Sequence, residues 1–124
     1  MDRDDSTVAL SDAPLPSILN LMESTLAEIV SRLSRVFRPE SVYLFGSRAR
    51  GTATADSDYD VLLVVPSSDE PPYRRAQRAQ EALWGLWSAA DVFVLTRDEF
   101  VEQASWHTSI ARAALAEGVR LDAA

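Results

Sequence analysis

The sequence lacks cysteine and lysine and has one histidine, and these absences exclude several kinds of chemistry. Without cysteine there can be no disulfide, thiolate metal site or cysteine nucleophile, which suits a reducing compartment. Without lysine there is no Schiff-base chemistry and no P-loop lysine. His107 alone cannot build a histidine-rich metal site, and a role at the surface or as a helix cap is expected for it. Any metal or phosphate ligand must therefore come from carboxylates, arginines, hydroxyls or the backbone.

Long apolar runs are also missing, and the charge is predominantly of one sign. The longest strictly apolar run is Val61–Val65, five residues against the ~20 that a membrane helix needs. The first dozen residues, with four Asp and one Arg, do not resemble a signal peptide. Nineteen acids against twelve arginines give a net charge of −7, which disfavours non-specific nucleic-acid binding. We expect a soluble cytoplasmic protein that binds neither membranes nor nucleic acid of arbitrary sequence.

The 124 residues are enough for one domain, and the pattern divides them into a flexible leader over 1–13 and a single domain over 14–124. Helical spacing runs from Leu15 until Pro39, and three strand candidates follow at intervals. The order of elements predicts an α/β fold, a small mixed sheet of three or more strands packed with helices. The predicted strands are Ser41–Phe45, Tyr59–Val65 and Asp91–Leu95. A helix is predicted at about Tyr73–Ala89, and a short one begins at a capping box over Thr96–Glu99. The last helix is predicted at about Trp106–Glu117 and ends at Gly118.

The stretch Gly46-Ser47-Arg48-Ala49-Arg50-Gly51 follows the first predicted strand and opens a short turn of helix. Glycine lets the backbone approach a ligand closely, and the first amides of a helix lack partners inside it. Together with the Ser47 hydroxyl they indicate an anion site. Arg48 is a candidate for contact with a phosphate. By itself, a Gly-Ser pair after a strand is also an ordinary turn.

Three acids strengthen this interpretation. Asp58 and Asp60 open the second strand, and residues i and i+2 of a strand point to the same face. Two neighbouring carboxylates repel each other unless one is protonated or a cation lies between them, and Mg²⁺ is the hard cation that carboxylates and phosphates share. Asp91 opens the third strand and would reach the same edge if the strands are neighbours. The alternative is that these acids are turn residues and a solvated strand end.

The whole string GSRARGTATADSDYDVLLVV resembles the motif of the minimal nucleotidyltransferase (MNT) family of the DNA polymerase β superfamily. The resemblance extends over about residues 18–121, and none of the three acids departs from the pattern. It implies transfer of a nucleoside monophosphate, expected to be AMP from ATP, to a hydroxyl acceptor with two Mg²⁺ ions. Gly46 and Ser47 would hold the β- and γ-phosphates, Asp58 and Asp60 both metal ions, and Asp91 the ion nearer the acceptor, where it would also assist deprotonation.

The family resemblance also implies a partner. MNT proteins are commonly encoded beside HEPN-domain proteins as toxin–antitoxin pairs, in which the MNT protein adenylylates a HEPN tyrosine. We therefore expect that the protein binds a HEPN-domain partner and that it forms a homo- or hetero-oligomer. Docking surface is expected at Trp84 and Trp106, if exposed, and at an arginine cluster of Arg74, Arg75 and Arg78 whose default role is a solvated face.

Two other functions fit parts of the pattern. A non-catalytic module of the same fold could neutralise a partner by contact alone, although such a module has no physical need for three acids. A sugar-nucleotide glycosyltransferase also uses an Asp-X-Asp metal site, but those folds are usually far longer. The presence of all three acids favours the enzyme.

Overall fold

The computed structural model describes residues 17–54, 57–86 and 90–121, so the predicted leader lies outside the described residues. Its helices and strands alternate along much of the chain, as expected for an α/β fold. The helices are α1 (Ser17–Phe37), α2 (Ser47–Arg50), α3 (Pro72–Ala82), α4 (Arg97–Gln103) and α5 (Ile110–Glu117), and the strands are β1 (Ser41–Phe45), β2 (Tyr59–Val65), β3 (Ala90–Thr96) and β4 (Val119–Arg120).

The four strands of the described chain form one mixed sheet in the order β3-β2-β1-β4. β1 runs antiparallel to both of its neighbours, whereas β2 and β3 are parallel. The small mixed sheet packed with helices is confirmed. The apolar run Val61–Val65 lies in the inner strand β2 and is buried throughout, as is typical of a strand covered on both faces. No helix of the described residues has the length and apolarity needed to cross a bilayer.

Helices cover both faces of the sheet, and the alternation of β2 divides its side chains between two cores. Ile29 and Leu33 of α1 and Ala79 of α3 are fully buried against the face that carries Val61 and Leu63. Leu62 and Val64 point to the opposite face. There they pack with residues of β1, β3, α4 and α5, namely Phe45, Tyr43, Phe93, Leu95, Phe100, Ile110, Ala113 and Ala114.

Two helices are shorter than predicted, for reasons local to their ends. α3 ends at Ala82 because the chain turns through Gly85, whose φ of 90° is left-handed. α5 begins at Ile110 because Ser109 is its N-cap, with Oγ accepting from the Arg112 amide at 3.0 Å. His107 consequently lies exposed in the turn before α5. The capping box of Thr96 and Glu99 is present as predicted.

Gly118 ends α5, but its conformation is extended (φ −81°, ψ 160°) and not left-handed. Glycine is needed there for space, since a Cβ would lie 2.3 Å from the Ala114 carbonyl oxygen. This close packing leads the chain directly into β4, where Val119 pairs with Leu44 and Arg120 with Tyr43. A strand of two residues has no periodicity, so β4 was not predicted from the sequence.

The solvated face expected by default for the arginine cluster is wrong for Arg75. Tyr73 is 67% exposed, whereas Arg75 is only 4% exposed. Its guanidinium donates to the carbonyls of Glu70 and Val94 and forms a bidentate pair with Glu99, at 2.8 and 3.0 Å. Arg78 bonds the Glu70 carboxylate. The arginine cluster is therefore largely used inside the domain, where Arg75 joins α3 to the end of β3 and to the capping box of α4.

Replacing Arg75 should destabilise the domain far more than replacing its neighbour. Arg75→Met leaves Glu99 without its partner and two carbonyls without a donor, so we expect a loss of about 2–3 kcal/mol in the free energy of unfolding. Arg74→Met is the matched control, because Arg74 is exposed and bonds only Gln77 among the described contacts. It should change that free energy by less than about 0.5 kcal/mol. Urea unfolding measures both, and equal effects would contradict this account of Arg75.

Candidate active site

The turn between β1 and α2 is built around Gly46. Its φ of 77° and ψ of −157° belong to a region that side chains other than glycine avoid. The Gly46 carbonyl accepts from the amides of Ala49 and Arg50 at 3.1 and 3.0 Å, which starts the short helix. Gly51, with φ 80°, ends it in a left-handed conformation. The expected turn of helix after Gly-Ser is therefore present, with Ser47 half-buried at its first position.

The segment Gly46–Gly51, here named the anion turn, meets the acids at Gly46. A Cβ built on Gly46 would lie 2.1 Å from the Asp60 Oδ2 atom, so the Asp60 carboxylate lies directly against the turn. The register explains this contact, because Phe45 and Asp60 are partners in the antiparallel ladder of β1 and β2. Two constraints therefore require glycine at position 46: its backbone conformation, and the space that the Asp60 carboxylate occupies.

The three predicted acids lie at the same end of the sheet, where β2 and β3 begin. Asp60 and Asp91 are partners in the parallel ladder of β2 and β3, and Asp58 lies two residues before Asp60. Since Leu62 and Val64 continue the Asp60 face into the core under α4 and α5, the acids stand at the open end of that face. Asp60 is half-buried, while Asp58 and Asp91 are exposed.

The charge of Asp60 is disfavoured in this setting. Burial raises the pKa of Asp60 above its ordinary value, and the neighbouring carboxylates of Asp91 and then Asp58 raise it further. The Arg50 guanidinium opposes them, and Glu117 adds a smaller increase. A half-buried carboxylate beside two others is the electrostatic situation that a divalent cation relieves.

Arg50 is a site residue that the sequence reasoning left out of the phosphate set. Its Nη1 donates to both Glu117 carboxylate oxygens, at 3.1 and 3.2 Å, while its side chain stays 49% exposed. Its charge still reaches Asp60, whose pKa it lowers. The available signal was its position in the same GSRARG string as Arg48, but the string does not reveal which arginine faces the acids.

Arg48 is directed elsewhere. Its Nε and Nη2 donate to the Ser57 carbonyl at 3.1 and 2.6 Å, and its Cζ lies 4.0 Å from the centroid of the Tyr59 ring. The guanidinium therefore contacts the two residues on either side of Asp58. Its predicted contact with a phosphate stays a prediction.

The donor chemistry of the site fits Mg²⁺, since three carboxylates adjoin a turn suited to phosphate oxygens. As they stand, however, no three acidic or histidine side chains of the described chain are gathered closely enough to hold a metal ion. The fit therefore rests on the strand register and on the unfavourable charge of Asp60.

The tryptophans expected at the surface are there. Trp84 is 86% exposed and Trp106 is 51% exposed. Trp84 lies in the connection that leads from α3 towards the start of β3, and its carbonyl accepts from Arg32 Nη1 at 2.9 Å. The surface predicted at these two residues is exposed, unlike most of the arginine cluster.

Comparison with known proteins agrees with this architecture. Among solved structures, a protein from Sulfolobus solfataricus provisionally described as a nucleotidyltransferase has 24% identity, with a TM-score of 0.59 over 89% of this chain and 90% of that chain. Lower similarity links the chain to a toxin–antitoxin solved with AMP-PNP (21% identity, TM-score 0.44, 74% and 68% covered). It also links it to a mutant of the toxin–antitoxin MntA–HpeT (20%, 0.43, 73% and 68%).

The similarity to the Sulfolobus solfataricus structure shows a shared fold. No similar protein was found among the curated proteins. The sequence profile described as a nucleotidyltransferase domain matches residues 23–121, which include the anion turn, all three acids and the closing strand. The match confirms the resemblance seen in the sequence motif, and the chain belongs to the nucleotidyltransferase domain family.

Proposed function

We propose that the protein is a magnesium-dependent nucleotidyltransferase that transfers AMP from ATP to a hydroxyl group. The observation that carries the proposal is the position of Asp60, which touches the Gly46 turn on one side and is the ladder partner of Asp91 on the other. A ligand with phosphates at the turn would present its phosphoryl oxygens to the acids. A cation is then needed between two sets of negative charge.

The phosphate end of the site is assigned to the anion turn. Gly46 lets the backbone approach the ligand closely, and the Ser47 hydroxyl adds a donor for the β- and γ-phosphates. Arg50 is the guanidinium whose charge acts at the acids, and it is half exposed. Its partner Glu117 holds it beside the turn, so that a phosphate can be bound without a large movement of the backbone.

The metal end is assigned to the three acids. Asp58 and Asp60 would hold two Mg²⁺ ions, and Asp91 would bind the ion nearer the acceptor. Bound Mg²⁺ would neutralise the charge on the triphosphate and on the attacking oxygen. Bound Mg²⁺ would relieve the repulsion among the acids. The unfavourable negative charge of Asp60 in the metal-free protein would therefore favour metal binding.

Asp91 defines where the acceptor arrives. It lies at the start of β3, the outermost strand on its side of the described sheet, and is exposed. The acceptor hydroxyl oxygen attacks the α-phosphorus, the bond from that phosphorus to the bridging oxygen breaks, and pyrophosphate leaves with the electron pair. Asp91 assists removal of the hydroxyl proton, which passes to solvent.

The acceptor we propose is a tyrosine of a HEPN-domain partner, with this chain as the antitoxin of a toxin–antitoxin pair. The MNT motif supports this assignment, and so does the open edge at Asp91, which a second protein can approach. The exposed Trp84 offers an apolar contact for a partner elsewhere on the surface. A module that neutralised its partner by contact alone would gain nothing from a half-buried acid at Asp60.

Asp60→Asn should abolish transfer while leaving the domain folded. Loss of a metal ligand should reduce turnover by about a hundredfold or more, measured as pyrophosphate release with ATP, Mg²⁺ and the partner. The exposed Asp69 supplies a control, since Asp69→Asn should retain full turnover. Equal turnover in the two variants would contradict the assigned role of Asp60.

The same variant has a distinct signature in stability. Because the pKa of Asp60 is raised in the folded protein, the contribution of this group to stability is complete below the ordinary pKa of ~4 and is lost as pH rises through the folded value. At pH 7 without metal, Asp60→Asn should therefore melt at the same temperature as the parent or higher, and the difference should close in acid. Melting well below the parent at pH 7 would show that Asp60 is structural.

Transfer to the partner is tested with ATP labelled on the α-phosphate. The partner should acquire label on a tyrosine when both proteins and Mg²⁺ are present. Asp91→Asn should prevent labelling, because the acceptor-side ligand is lost, whereas Asp69→Asn should not. Label found only on a small molecule, with the partner unmodified, would overturn the assigned acceptor and leave the transferase chemistry standing.

A further inference from the structure

Arg48 makes a set of contacts that the proposed chemistry does not use directly. Two of its nitrogens donate to one acceptor, the Ser57 carbonyl, at 3.1 and 2.6 Å. Its guanidinium lies over the Tyr59 ring with 4.0 Å from Cζ to the ring centroid, within cation–π range. Tyr59 is itself only 2% exposed. The guanidinium is thus held along one edge and across one face.

The third nitrogen supports an internal role. Arg48 Nη1 is buried and is the one buried side-chain polar atom of the described residues without a hydrogen-bond partner. Solvent does not reach this nitrogen, and leaving a buried donor unpaired costs stability.

Those contacts enclose Asp58. The Ser57 carbonyl belongs to the peptide that joins Ser57 to Asp58, and Tyr59 is the next residue along the chain. Asp58 precedes β2 and has no ladder partner among the described residues, whereas Asp60 is held by the ladders on both sides. The backbone at Asp58 is therefore oriented by Arg48 and by the residues before it. Among these, the Thr54 amide donates to Ser57 Oγ at 2.9 Å.

We infer that Arg48 is a positioning residue that fixes the direction of Asp58 towards the metal site, and that it is not a ligand of the phosphates. The inference rests on the proposed metal role of Asp58. Arg48 belongs to α2, the helix that also begins with Ser47, so one short segment places both the phosphate turn and the exposed acid. The spacing of Ser47 and Asp58 is thereby set through a side chain as well as through the sheet.

The test measures metal binding directly. Binding of Mn²⁺, a spectroscopic substitute for Mg²⁺, is followed by electron paramagnetic resonance of the free ion, with a non-hydrolysable ATP analogue present. Arg48→Met should raise the Mn²⁺ concentration at half-saturation by about tenfold or more, as losses behind a metal ligand do. Affinity for the nucleotide analogue at saturating Mn²⁺ should change by less than about threefold. Arg35→Met is the control, since Arg35 is exposed on α1 and bonds Ser31 Oγ.

A conservative variant separates positioning from general stability. Arg48→Lys keeps the charge and can donate to the Ser57 carbonyl, but cannot make the paired contact, so its Mn²⁺ affinity should lie between those of the parent and Arg48→Met. It also serves if the methionine variant fails to fold, because its affinity should still fall by severalfold. Melting temperatures are recorded for every variant, and the binding assay is run well below them.

Three results would overturn the inference. Unchanged Mn²⁺ affinity in both folded variants would show that Arg48 does not orient Asp58. Weaker nucleotide binding at saturating Mn²⁺, with metal affinity unchanged, would make Arg48 a phosphate ligand. Absence of Mn²⁺ binding by the parent protein would remove the metal site itself, and with it the proposed function as well as this inference, whereas the first two results leave the proposed function intact.

Discussion

The contact between the Gly46 backbone and the Asp60 carboxylate is the constraint on which the rest of the site depends. No side chain fits at Gly46, because a Cβ would lie 2.1 Å from Asp60 Oδ2, and the backbone there has a positive φ of 77°. The contact lies one residue beyond the pairing of Phe45 with Asp60, so the β1–β2 ladder determines it. From this point the directions of α2, of Arg48 and of Arg50 follow. The small sheet thus brings the turn at Gly46 against the strand end that carries Asp60.

The arrangement is unfavourable to the folded protein without its ligand. Burial and two neighbouring acids raise the pKa of Asp60, and Arg48 keeps an unpaired buried nitrogen. Stability comes from elsewhere: the two cores on either face of β2, and the pair of Arg75 with Glu99 at the far end of β3. Such a division is typical of functional sites, where local strain is maintained by a rigid surrounding structure. The contacts that stabilise β2 and β3 therefore lie away from the strand ends that carry the acids.

Much of the fold and the three acids could be predicted from sequence, because they depend on short-range periodicity. The strands at Ser41–Phe45 and Tyr59–Val65 have the predicted bounds, and the i, i+2 spacing placed Asp58 and Asp60 on one face. Contacts between distant residues were not predictable. Arg75 points into the domain because it pairs with Glu99, which lies 24 positions later in the sequence. Arg48 bonds the Ser57 carbonyl and Arg50 bonds Glu117, and the local sequence does not distinguish these two arginines. The bounds of α3 and the existence of β4 depend likewise on tertiary packing, which cannot be predicted from the local sequence pattern.

If Asp58, Asp60 and Asp91 hold the triphosphate through a divalent ion, then ATP binding requires that ion, and calorimetry measures the requirement. ATP is titrated into the protein with Mg²⁺, and again with EDTA in place of the metal. We predict binding with Mg²⁺ and none detectable in EDTA, because anionic phosphates would otherwise face Asp58, Asp60 and Asp91 without an intervening cation. Equal affinity under the two conditions would contradict the account, since the acids would then have no part in holding the nucleotide.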